Sequence, residues 1–104
     1  MKRIITRMAL VEELDDCIIA FYCPGCGNSH GVYVRKPNPR TGAQWTWNGK
    51  FDKPTFRPSI KTIIGLNGVE RVLCHCDVID GEIRYYDDCE HKLAGQTVAM
   101  VEVE

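Results

Sequence analysis

What most limits the fold of this chain is where it keeps its sulfur and imidazole groups. Cys23-Pro24-Gly25-Cys26-Gly27 sets two thiols on one short turn, and Cys74, His75, Cys76, Cys89 and His91 gather far downstream. Cysteines separated by two residues can turn back and offer both thiolates to one ion. Proline and glycine suit that turn, and Gly27 lets backbone N–H groups approach the sulfurs. An ion shared by the two groups would tie distant parts of the chain together. With 104 residues the chain makes one small domain, residues 1–104, with a modest core, so such a cross-link matters for its stability.

Six cysteines in a short chain also fit a disulfide framework, but only in an oxidising compartment. The N-terminus lacks the long apolar core of a signal peptide, which places the protein in the cytoplasm as an expectation and favours metal over disulfides. A redox Cys-x-x-Cys expects a helix to follow the motif. Gly27, Asn28 and Ser29 are poor helix formers, so a zinc knuckle is the better reading.

β-Branched and aromatic residues cluster in short runs broken by Gly, Pro, Asn and Asp. The runs predict strands over 3–11, 17–22, 31–35, 44–47, 59–66, 71–79, 82–86 and 97–103. Asp80-Gly81 and Asn67-Gly68 carry the signature of two-residue hairpin turns, whose central positions need positive φ. One or two helical turns are expected over 89–94, closed by Gly95. The predicted class is mainly β, or α+β with one short helix, as a small zinc-ribbon-like antiparallel domain.

Alternation along 71–79 puts Val72, Cys74, Cys76 and Val78 on the core face and Leu73, His75, Asp77 and Ile79 on the other. Cys74 and His75 therefore point apart. The expected ligands are Cys23 and Cys26 with two of Cys74, Cys89 and His91; Cys76 can ligate or pack as a small hydrophobe. Zinc is the expected ion, and iron uses the same ligands. His75 stands over as a surface or functional group. His30 reads as a strand residue or a donor to a sulfur ahead of a ligand.

Residues 35–61 hold seven basic residues and one acid, Asp52, with aromatic rings between them. Trp45, Trp47, Lys50, Lys53 and Arg57 could form a surface for an anionic partner; alternatively the tryptophans cap the core and the lysines are solvated. Formal net charge is −1, which speaks against a general nucleic-acid binder and leaves single-stranded nucleic acid as a secondary partner class. No apolar stretch is long enough for a membrane-spanning helix.

FYCPGCGNSHGVYV, WTWNGKFDKPTFRPSI and CHCDVIDGEIRYYDDCEHKLAGQTV resemble an uncharacterised family of small bacteriophage and prophage proteins often labelled ammonia monooxygenase. The resemblance covers residues 21–98 and implies a phage origin and a zinc site, with Cys23, Cys26, Cys74, Cys89 and His91 on matching motifs. It also implies a role beyond the surface for His75 and His30. It supplies no activity, and the labelled one belongs to a membrane-bound copper enzyme. The 54–60 motif, Pro-Thr-Phe-x-Pro-Ser-Ile, reads as a structural loop. A closed four-ligand site favours a binding module, with a host or phage protein as partner. The alternative is a zinc-dependent, hydrolase-like enzyme using His75 or His91 beside an open metal position.

Overall fold

The computed structural model describes residues 9–102. They form β1 (Glu12–Glu13), β2 (Ile18–Cys23), β3 (Asn28–Tyr33), β4 (Thr46–Trp47), β5 (Phe56–Leu66), β6 (Val69–Ile79), β7 (Glu82–Tyr85) and β8 (Thr97–Ala99). All pairings are antiparallel, in a three-stranded sheet β1-β2-β3 and a five-stranded sheet β4-β5-β6-β7-β8. The domain is mainly β, as the sequence predicts. Positions 3–8 of the first predicted strand and position 103 of the last lie outside the described residues.

Local chemistry sets the turns. The Asp15 carboxylate accepts from the N–H groups of Cys17 and Ile18, bending the chain between β1 and β2. Between β2 and β3 the knuckle itself is the turn: Gly27 N–H donates to the Cys23 carbonyl at 2.8 Å, with Gly27 at φ 70°. Asn67 and Gly68 join β5 to β6 at φ 54° and 79°, and Asp80 and Gly81 join β6 to β7 at φ 50° and 81°. Both hairpins are thus the two-residue type that the Asn-Gly and Asp-Gly pairs signal.

The two sheets face each other across one core. Ile19, Phe21 and Val32 from the small sheet meet Phe56, Ile60, Val78, Ile83 and Tyr85 from the large one. Phe21 and Phe56 bridge the sheets with ring centroids 6.0 Å apart. Trp45 and Trp47 pack against this core, Trp47 edge-on to Phe51 at 5.3 Å. Core capping is therefore the role of both tryptophans, while Lys50, Lys53 and Arg57 are exposed. Beyond the core the β5–β6 hairpin continues as an arm with Ile63, Ile64 and Val69 exposed.

The expected helical turns over 89–94 do not form. Leu93 N–H bonds to the His91 imidazole and Gly95 N–H to the Tyr86 carbonyl, which takes the backbone donors that a helix would send to the carbonyls four residues back. A run of turns results, closed by Gly95 at φ 77°.

Candidate active site and metal centre

Strand β6 carries two kinds of chemistry on its two faces. Cys74, Cys76 and Val78 are buried, 1%, 0% and 0% exposed, and Cys76 and Val78 pair with Tyr85 and Ile83 of β7 as alternation requires. His75 turns outward, away from Cys74, and meets two groups from other segments. Its Nε2 lies 3.1 Å from the Ser59 Oγ, and its Nδ1 lies 3.2 Å from both carboxylate oxygens of Asp88. A hydroxyl, an imidazole and a carboxylate are thus in line, the arrangement that activates a serine nucleophile.

A break in the β5–β6 ladder delivers Ser59. Phe56 pairs with Val78 and Ile60 with Cys76, so Arg57, Pro58 and Ser59 stand opposite Asp77 alone. The bulge re-aims the strand and brings the hydroxyl to His75. Trp45 Nε1–H donates to the Ser59 carbonyl at 3.2 Å from behind. The 54–60 motif is therefore not a structural loop: its serine lies on a strand and faces the imidazole.

Tyr86 fixes the His75 ring. The two rings stack with centroids 4.0 Å apart and planes 12° from parallel. The Tyr86 hydroxyl donates to Asp77 Oδ2 at 2.8 Å, which pushes its pKa up. Asp88 reaches His75 from the turn after β7; its side chain is 47% exposed. Beside Ser59 a cavity of about 390 Å³ has Phe56, Pro58 and Ile79 as apolar walls and Thr46, Arg57 and Asp77 as polar ones.

The sulfur groups lie on the inner side. Cys23, Cys26, His30 and Cys74 place four ligand atoms within 4.8 Å of one another, and Cys74, Cys89 and His91 form a second such group. The structure thus joins the knuckle to Cys74, sets Cys89 and His91 beside that same thiol, and adds His30. Cys76 is core, in neither group.

Charge makes the first group fit a cation. Cys23 and Cys74 sulfurs are 3.9 Å apart. The hydrogen bond from Cys74 holds the Cys23 thiol down to about 3, and the same bond pushes Cys74 up. Burial, then the Cys23 charge, pushes Cys26 up to about 11. Without an ion the cluster therefore supports one thiolate; a divalent cation lets all three thiols ionise. The buried Nε2 of His30 has no hydrogen-bond partner among the described residues, as suits a nitrogen meant for an ion. The Tyr85 hydroxyl donates to Cys23 at 3.1 Å while accepting from Gly25 N–H at 3.3 Å, a conventional outer contact for a ligating sulfur.

Gly25 has its own steric reason. A Cβ there would overlap the His91 ring. Gly25→Ala should therefore push His91 aside and lower stability by about 1–3 kcal/mol, the usual cost of overpacking; urea denaturation against wild type measures it.

A family model described as "Bacterial ubiquitination-like system serine protease (BubE)" matches residues 2–86. The chain belongs to the BubE family. No curated protein and no solved structure matches it. The family match reaches Ser59 and His75 but stops short of Asp88, Cys89 and His91. In this BubE-family chain the sequence left His75 as a surface or functional group and did not name Ser59 or Asp88 as its partners. Each sits in a motif already picked out: Ser59 in 54–60, Asp88 in Asp-Cys-x-His at 88–91. Among the described residues no helix is long and apolar enough to cross a membrane.

Proposed function

We propose that this BubE-family chain is a serine protease with Ser59 as nucleophile, His75 as general base and Asp88 as the orienting carboxylate. The observation that carries the reading is the in-line contact of Ser59 Oγ with one nitrogen of His75 and of Asp88 with the other. The family description, with its ubiquitination-like system, supports a protein of such a system as substrate. The reading departs from the binding module favoured by the sequence, because the chemistry lies outside the metal centre.

The proton path follows from the contacts. Asp88 accepts from Nδ1–H and so leaves the Nε2 lone pair facing Ser59. As Ser59 Oγ bonds to the scissile carbonyl carbon, its proton passes to Nε2, and the imidazolium that forms is stabilised by Asp88. The same proton then goes to the leaving amine as the C–N bond breaks. Water, deprotonated by His75, attacks the acyl-enzyme and restores Ser59. The cavity beside Ser59 receives a substrate side chain. Tyr86 holds the imidazole plane through these transfers.

The ion, in this reading zinc, serves structure. Three thiols and an imidazole would supply the four ligands a structural zinc takes, so the ion would serve as a cross-link and not as a source of activated water. It joins the β2–β3 turn to β6, and so one sheet to the other.

A fluorophosphonate tests the assignment. The Ser59 oxygen bonds to phosphorus, fluoride leaves and the serine proton goes to His75. One adduct per chain, mapped to Ser59 by peptide mass spectrometry and lost in Ser59→Ala, is expected. An unlabelled Ser59 in folded, metal-loaded protein would falsify the reading.

A further inference from the structure

We propose that the ion is held by Cys23, Cys26, His30 and Cys74, and that Cys89 stands outside this set as a positioning residue of the triad. The second half rests on the protease reading; the first does not.

Geometry separates the two groups of ligand atoms. Four residues converge in the first, and Cys74 is their only link to Cys89 and His91. The Cys89 sulfur and the Nδ1 of His91 are committed elsewhere. Leu93 N–H donates to His91 Nδ1 at 3.2 Å, so the neutral ring carries its proton on Nε2. A protonated nitrogen cannot ligate. It is buried and has no hydrogen-bond partner among the described residues.

Cys89 is engaged at both of its functions. Its sulfur accepts from His75 N–H at 3.1 Å and donates to the His75 carbonyl at 3.2 Å. The two bonds hold the peptide groups on either side of the His75 Cα. The residue gripped is the general base, and the residue before Cys89 is Asp88. One thiol therefore sets the Nδ1–carboxylate distance from both ends. Tyr86 N–H donates to the same His75 carbonyl at 2.9 Å and anchors the turn ahead of Asp88. After Asp88 the other contacts are looser: Glu90 N–H reaches the Leu73 carbonyl at 3.4 Å, and the Arg71–Glu90 pair is exposed. A ligating Cys89 would be a thiolate and would lose the bond it donates to the His75 carbonyl.

Cys89→Ser keeps a donor and an acceptor, whereas Cys89→Ala keeps neither. Fluorophosphonate labelling of Ser59 should slow no more than about threefold in Cys89→Ser and about tenfold or more in Cys89→Ala, the scale of a displaced catalytic contact. Equal slowing in both variants overturns the positioning role. The ligand set is read separately on protein loaded with 113Cd. Couplings from the metal to the β protons of Cys23, Cys26 and Cys74 and to the His30 ring are expected. A coupling to Cys89 overturns the proposal. Wild-type protein that resists labelling overturns the protease reading and with it the positioning role, while the cadmium spectrum still decides the ligands.

Discussion

Ser59→Ala is expected to lower ester and peptide hydrolysis roughly 10⁴-fold or more, since removal of a triad nucleophile leaves only binding and polar stabilisation. The melting temperature should stay near that of wild type. Ser59 is half-buried, and its side chain makes one hydrogen bond, to His75. Alanine fills the same position on the bulge and removes one oxygen. Asp88→Asn tests the same chain of contacts from its far end. The amide can present a donor to Nδ1 and favour the tautomer with a proton on Nε2, facing Ser59. Asp88 is about half exposed, so rotation and water soften the effect; a fall of roughly 10²–10⁴-fold is expected. Hydrolysis of p-nitrophenyl acetate and the rate of fluorophosphonate labelling measure both. Undiminished turnover in Ser59→Ala would remove Ser59 from the mechanism.

Removing the ion should have the largest effect on the fold. The cluster lies in the core, with Cys23 and Cys74 0% and 1% exposed, and it joins two sheets otherwise held by side-chain packing and a few hydrogen bonds. Structural zinc sites contribute about 10–16 kcal/mol at neutral pH, and a domain has about 5–15 kcal/mol in all. The apo chain is therefore expected to lose its cooperative transition, and Cys23→Ser or Cys74→Ser to behave like it. Circular dichroism melting, with released metal counted by a chromogenic indicator, gives the answer. A melting curve unchanged after complete metal removal would show that packing alone suffices.

Strands and turns were legible because local rules govern them. Asn67-Gly68 and Asp80-Gly81 name their own turn type, and alternation along 71–79 separates Cys74 from His75 correctly. The triad was not legible because its three members obey no common period. Ser59 reaches His75 only through a bulge, and a bulge suspends alternation at the place that matters. Asp88 arrives from a turn whose path depends on bonds to β6. His30 was ranked low as a ligand because nothing in its spacing says that its nitrogen would be left without a partner. Surplus cysteines also drew attention to the metal, and a lone serine in a proline-rich motif looked structural beside them.

Strand β6 serves the interior with Cys74 and Cys76 and the exterior with His75 and Asp77. A slip of one residue would exchange these faces as a block, putting an imidazole where a thiol belongs and a thiol where the imidazole belongs. Misregistered copies would then fail at folding and at catalysis together. Such copies would lack the native core, so any chain that folds also carries His75 in register with Ser59.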